Sequence, residues 1–279
     1  MFRAIDPHVH AETLTFERLK SMSKAGIIAV IGCSYYPHLV KVTTQKYLDF
    51  FDALLTFYAW LIETHNIKLY IAVGINMLSV PADYNRFLKI IPTYLKKEKV
   101  VAIGEVGMDP RSLTDLKTQE IIFRQELDIA KKHGVPVIVH TPPERVDKKS
   151  VPAGLEKEVE LNIIDKYISM IEEVKLDKKT VVIDHLSSES DVKRVLDFGC
   201  YAGLSVRPWS IVTPKYVARI AMHIGPDKLL INSDSGYLET DCLSVPKTVA
   251  KMRALGMKEK DIEKIVFENP VELFNLKIE

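Results

Sequence analysis

His8 and His10 stand two residues apart in Asp6-Pro7-His8-Val9-His10, directly after an apolar stretch, Phe2 to Ile5, that reads as a first strand. In an extended chain, residues two apart share a face. The two imidazoles therefore project side by side, with Asp6 on the same side. Imidazole is the commonest transition-metal ligand, and two neighbouring imidazoles supply half of a metal site. Four more ligand-type side chains recur in the same relation to an apolar run. Glu105 ends Val-Val-Ala-Ile-Gly-Glu, His140 ends Val-Pro-Val-Ile-Val-His, His185 ends Val-Val-Ile-Asp-His, and Asp234 ends Leu-Leu-Ile-Asn-Ser-Asp. Any one of these alone reads equally well as a turn or capping residue. Six of them at strand ends point to a metal centre. Mixed imidazole and carboxylate donors suit Zn²⁺ or Mn²⁺, whereas hard Mg²⁺ is less natural beside four histidines.

The elements that must position these side chains alternate along the chain. Short apolar runs at Ile27 to Ile31, Leu69 to Ile75, Val100 to Glu105, Val135 to His140, Val181 to His185, Tyr201 to Leu204 and Leu229 to Ser233 follow the first strand. Between them lie stretches of helical period: Phe16 to Ala25, Thr43 to Thr64, Ala82 to Lys97, Leu116 to His133, Glu156 to Val174, a segment capped by Ser188 and ending near Phe198, and Pro214 to His223. Two further helices fill the C-terminus. Gly134 stops the fourth of the helices named, and Ser188 has the hydroxyl of an N-cap. Continuous Val/Ile/Leu runs without polar alternation belong to strands covered on both faces. Eight such units predict an α/β fold, a (β/α)8 barrel forming one domain over residues 1–279. An open doubly wound sheet is disfavoured because no glycine-rich nucleotide fingerprint follows the first strand. In a barrel, all six candidate ligands fall on the C-terminal rim, where barrel enzymes keep their chemistry.

Composition excludes several alternatives. A net charge of +1 is not that of a surface built for long duplex DNA. No apolar run approaches the ~20 residues needed to span a bilayer, and no basic, apolar-cored leader opens the chain. Cys33, Cys200 and Cys242 are odd in number and carry no CxxC spacing, as expected of free thiols in a reducing, cytoplasmic setting. His65, His133 and His223 sit near helix C-termini, where imidazole complements the helix dipole.

The chain resembles the TatD-like metal-dependent hydrolases over nearly its whole length. The resemblance rests on Asp6-Pro7-His8-Val9-His10, Gly104-Glu105-Val106-Gly107-Met108-Asp109, His140, His185, Ser233-Asp234 and the closing Glu268-Asn269-Pro270-Val271-Glu272-Leu273-Phe274. It implies that His8, His10, Glu105 and Asp234 hold one divalent ion, and that Glu105, as a bridge, holds a second with His140 and His185. A carboxylate has two oxygens and can span ions ~3.5–4 Å apart. Asp234 is then placed to take a proton from the attacking water. The implied substrates are phosphate esters, including single-stranded nucleic acid cut from its 3′ end. An amide or lactone in a small molecule could meet the same water, and a non-catalytic, metal-stabilised binding barrel is the third reading. Retention of six ligands speaks against the last.

Two departures from the family pattern bear on substrate. Relatives carry an arginine two residues after the strand-five histidine, where it meets phosphate. Here the order is His140-Thr141-Pro142-Pro143-Glu144-Arg145, so Arg145 is displaced and preceded by an acid. The family's Thr-Asp-Ala-Pro becomes Ser233-Asp234-Ser235-Gly236. Arg207, in Leu204-Ser205-Val206-Arg207-Pro208-Trp209, is the alternative contact for an anionic substrate. Tyr35, Tyr36 and His38 follow the second strand and are candidates for a pocket wall. Asp109 is expected to order the loop after Glu105, and Asp184 to face away from His185.

Overall fold

The computed structural model describes residues 2–34, 42–142, 163–236 and 239–278. Eight parallel strands pair in sequence order: β1 (Ala4–Val9), β2 (Ile27–Gly32), β3 (Lys68–Val73), β4 (Val100–Gly107), β5 (Val137–His140), β6 (Val181–Ile183), β7 (Tyr201–Ser205) and β8 (Leu229–Asn232). The ring closes where Val9 bridges Ser235 and the His10 amide donates to the Ser235 carbonyl at 2.7 Å. The predicted (β/α)8 barrel is the observed fold.

Helices cover the outside: α1 (Phe16–Lys24), α2 (Thr44–Ala53), α3 (Ala59–Glu63), α4 (Tyr84–Tyr94), α5 (Leu116–His133), α6 (Ile163–Val174), α7 (Glu189–Phe198), α8 (Pro214–Ile224), α9 (Ser244–Ala254), α10 (Glu259–Glu263) and α11 (Asn269–Phe274). A π-helical turn, Leu54–Tyr58, joins α2 to α3, so the long amphipathic stretch predicted from Thr43 to Thr64 is one rod with a widened turn. Helix α5 has the limits its sequence announces. Asp115 accepts from the Thr118 amide at its start, and Gly134 takes the left-handed conformation (φ 64°) at its end. Ser188 caps α7 as predicted, accepting from the Asp191 amide.

Two apolar layers result. Ile5, Ile31, Ala72, Ala102, Ile138, Val182 and Leu230 fill the barrel, and Phe274 and Leu276 plug its N-terminal end. The opposite faces of the strands pack with the helices in a second, larger cluster. This is the reason the strands read as unbroken hydrophobic runs. Apolar filling leaves the C-terminal mouth as the place where buried polar side chains converge.

Three strand ends differ from expectation. Strand β1 runs on through His8, and between Asp6 and Val9 two residues, Pro7 and His8, oppose one of β2, Ile31. That bulge breaks the two-residue alternation. Asp6 turns to β8 and accepts from the Ser233 amide at 3.0 Å. Strand β4 continues past Glu105 to Gly107, with a register shift between Ile103 and Val106 and a cis peptide between Gly104 and Glu105. Strand β6 stops at Ile183, and His185 adopts a left-handed backbone (φ 61°). Alternation fails there as well, so Asp184 and His185 both reach the barrel mouth, contrary to the expected opposition.

Candidate metal centre

All six residues picked from strand ends converge at the C-terminal mouth. His8, His10, Glu105, His185 and Asp234 are buried, and His140 is mostly so. Glu105 lies at the centre and its two oxygens face different partners. Oε2 lies 3.6 Å from His8 Nε2. Oε1 lies 2.7 Å from His185 Nε2 and in close contact with His140 Nδ1. On the Oε2 side, Asp234 Oδ1 is 3.1 Å from His10 Nε2 and 3.7 Å from His8 Nε2.

The separations on the Oε2 side fit a cation, and those on the Oε1 side are hydrogen-bond distances. Donors bound at ~2.0–2.2 Å to one ion stand roughly 3–3.6 Å from one another. Two sets of donor atoms, His8 with His10 and Asp234, and His8 with Glu105 and His185, lie within 4.8 Å of one another. His8 Nε2 is buried with no hydrogen-bond partner, yet it points between Glu105 and Asp234. A buried imidazole nitrogen left unmatched among carboxylates is poorly satisfied by protein alone. A divalent ion would satisfy it.

A second ring of side chains fixes these donors. Asp184 Oδ2 accepts from His8 Nδ1 at 2.7 Å, which leaves Nε2 as the free donor atom toward the site. Asp184 also accepts from the His185 amide at 2.8 Å and from Asn232 Nδ2 at 2.9 and 3.0 Å. Gly203 makes room for it, since a Cβ there would lie 2.3 Å from Asp184 Oδ1. Asp109 accepts from His140 Nε2 at 3.0 Å and from Arg111, turning Nδ1 of His140 toward Glu105. The expected role of Asp109 in ordering its loop is thus joined to the aim of His140. Tyr167 donates to the His140 carbonyl at 2.8 Å and holds the Met108 amide. Ser205 Oγ sits 2.5 Å from His185 Nδ1. Asp234 has φ 48°, and Gly236 beyond it has φ 106° in a space where any Cβ would collide with Thr13 and His10. A left-handed aspartate is a locally strained one, as ligand positions often are.

The electrostatics are those of a cluster waiting for positive charge. Burial pushes the Glu105 carboxyl up, but His140 and His8 outweigh it and hold it well below the usual carboxylate range. Asp234 is likewise held low against burial, chiefly by Arg207 and then by His10. Asp184 is held down to about 2, burial being outweighed by His185 and His8. Burial lowers His140, but Glu105 and Asp109 lift it to about 9. His8 is raised well above the usual imidazole range by Cys33, Glu105 and Asp184, again against burial. Burial and Arg207 keep His185 low. In the metal-free protein, protons on His8 and His140 offset the carboxylates.

Arg207 is also at the site, and Asp234 and His185 engage its guanidinium. Its Nε and Nη2 lie 2.7 and 2.6 Å from Asp234 Oδ2, and Nη2 is 3.0 Å from His185 Nδ1. It engages a candidate ligand on the oxygen turned away from His8 and His10. Arg145, Glu144, Tyr35, Tyr36 and His38 lie outside the described residues. Sequence reasoning missed Asp184 and Ser205. An acid immediately before a strand-end histidine was the available signal for the first; Ser205 offers none.

A barrel with a buried histidine–carboxylate centre at its C-terminal mouth belongs to the metal-dependent hydrolases. Comparison with known proteins agrees and narrows the class: residues 5–275 match the family described as TatD related DNase, and the chain belongs to that family. It is 30% identical over 272 residues to an uncharacterized metal-dependent hydrolase of Methanocaldococcus jannaschii, covering 98% of this chain and 100% of that one. Among solved structures, a TatD-like protein from Archaeoglobus fulgidus superposes with a TM-score of 0.74 at 25% identity, covering 98% of this chain and 100% of that chain. A phosphotriesterase homology protein from Escherichia coli, complexed with phosphate in its active site, shares the fold at 12% identity (TM-score 0.67, 98% of each chain). Among the described residues, no helix is long and apolar enough to cross a membrane.

Proposed function

We propose that the chain is a two-metal hydrolase that cleaves an ester of phosphoric acid. The observation that carries this reading is the division of Glu105, with Oε2 toward His8 and Oε1 toward His140 and His185. His8, His10, Asp234 and Glu105 would hold one divalent ion, Zn²⁺ or Mn²⁺ by the chemistry of the donors, and Glu105, His140 and His185 the other. Bound there, the ions would lower the pKa of a shared water and neutralise charge on the oxygen of the bond under attack.

The chain's own residues do the rest. Asp234 Oδ1 faces His8 and His10 and receives the proton of the attacking water. Asp184 and Asp109 keep His8 and His140 in the tautomers that aim a lone pair inward. Arg207 holds Asp234 Oδ2 and offers its guanidinium to an anionic substrate, which favours a phosphoryl over a neutral carbonyl group. Amide or lactone hydrolysis is the competing reading, because the same water can attack a carbonyl.

The test is metal content by mass spectrometry on the purified protein, followed by assay of the loaded enzyme on phosphodiester, phosphomonoester, lactone and dipeptide substrates. Two ions per chain with phosphoester turnover leading the panel is the expected result. Turnover led by lactones or dipeptides would overturn the substrate assignment, and one ion per chain would overturn the bridging assignment.

A further inference from the structure

Most of the large hydrophobic side chains exposed among the described residues lie on or beside outer helices, as with Phe57, Trp60, Ile121 and Met222. Three do not. Leu113 lies in the loop after β4, and Trp209 and Ile211 lie in the loop after β7, on the face of the barrel that carries the metal centre. Trp209 is 48% exposed and Ile211 65%. These side chains stand on the catalytic rim, and a rim is where substrate is met.

Trp209 is also tied to the centre. The Arg207 guanidinium carbon lies 5.3 Å from its ring centroid, and the same guanidinium holds Asp234 Oδ2 at 2.6 Å. Asp234 in turn faces His8 and His10. One short chain of contacts therefore runs from the metal centre through a cation to a half-exposed indole. Tryptophan offers the widest π surface of any side chain, and a neighbouring arginine supplies charge for an anion beside the stacked group.

We propose that Trp209 and Arg207 form a substrate subsite that stacks a planar aromatic group next to the scissile ester, Arg207 meeting the anionic oxygen and Trp209 the ring. The ring is a nucleobase or a phenyl group, which share the π face that this subsite reads. The inference rests on the phosphoester reading above, but it concerns affinity and not the bond cleaved.

Binding to the metal-free protein tests it. The chain has two tryptophans, so Trp60→Phe leaves Trp209 as the only indole reporter. Phenyl phosphate and thymidine monophosphate are titrated against methyl phosphate and ribose 5-phosphate, following tryptophan emission. The expected result is quenching by both aromatic ligands, with affinities about ten-fold above those of their ring-less counterparts. Thymidine monophosphate far ahead of phenyl phosphate identifies the ring as a nucleobase; near-equal affinities show that any planar ring suffices. By isothermal calorimetry, Trp209→Ala should remove the preference, Trp209→Phe should keep most of it, and neither should change methyl phosphate binding. Equal affinity for aromatic and ring-less ligands in the parent protein would overturn the subsite, while phosphoester turnover by the loaded enzyme would leave the reaction standing. Aromatic preference without any phosphoester turnover would retain the subsite and overturn the reaction.

Discussion

Asp184 Oδ2 lies 2.7 Å from Nδ1 of His8, and the opposite nitrogen of that ring points between Glu105 and Asp234 with no hydrogen-bond partner. The carboxylate thus decides which atom of His8 is available to a cation. It does this from a fully enclosed position secured by Asn232, the His185 amide and the absence of a side chain at Gly203.

Asp184→Asn should therefore weaken metal binding without unfolding the barrel. The amide occupies the same volume but loses the charge that favours the Nδ1–H tautomer of His8. Losses of about 10–100-fold accompany removal of such outer partners. Competition with a chromogenic chelator reads the affinity, and far-ultraviolet circular dichroism the fold. Unchanged affinity would show that His8 is aimed by its backbone alone.

The metal-free protein should lose stability as pH rises from about 6.5 to 9. His140 titrates at about 9 in the fold, raised from 6.5 against burial by Glu105 and Asp109, and His8 is raised as well. A group whose pKa is raised on folding contributes fully below its unfolded value, and that contribution disappears as pH passes the folded value. The Tm of chelator-treated protein should fall across that window. The metal-loaded protein should vary far less there, because bound ions replace these protons. A flat metal-free profile would contradict the proton-filled cluster.

Asp234→Asn should reduce turnover by roughly 10²-fold or more while some metal stays bound, since proton removal contributes on that order. Single-turnover kinetics on protein of measured metal content make the comparison. Near-normal turnover with both ions retained would assign the proton acceptor elsewhere.

Arg207→Ala should lower turnover of neutral esters through the loss of its hold on Asp234, and should raise KM for phosphoesters beyond that shared loss if the guanidinium also meets substrate. The ion pair with Asp234 makes the competing outcome definite. If the sole task of Arg207 is to hold Asp234, both substrate types lose kcat alike.

Much of the architecture was legible because it depends on composition along short runs. Apolar strands buried on both faces, the 3.6-residue period of α5 and the cap residues Gly134 and Ser188 all carry local signals. The six candidate ligands were legible for the same reason, each closing an apolar run. What the chain did not disclose depends on where alternation fails. At the bulge in β1 Asp6 meets Ser233, and the left-handed backbone at His185 brings Asp184 in beside His8. A rule of opposite faces for neighbouring residues has no means of foreseeing either. The engagement of Arg207 with Asp234 joins two loops 27 residues apart and leaves no pattern in the chain.

The central claim is that one carboxylate, Glu105, serves two ions. A crystal structure of the metal-loaded protein, with anomalous differences recorded at the metal edge, measures this directly. The account predicts two peaks, one beside Glu105 Oε2 with His8, His10 and Asp234, the other beside Oε1 with His140 and His185, each at ~2.0–2.2 Å from its carboxylate oxygen. A single peak, or two peaks with Glu105 farther than ~3 Å from both, beyond any carboxylate–metal bond, would contradict it.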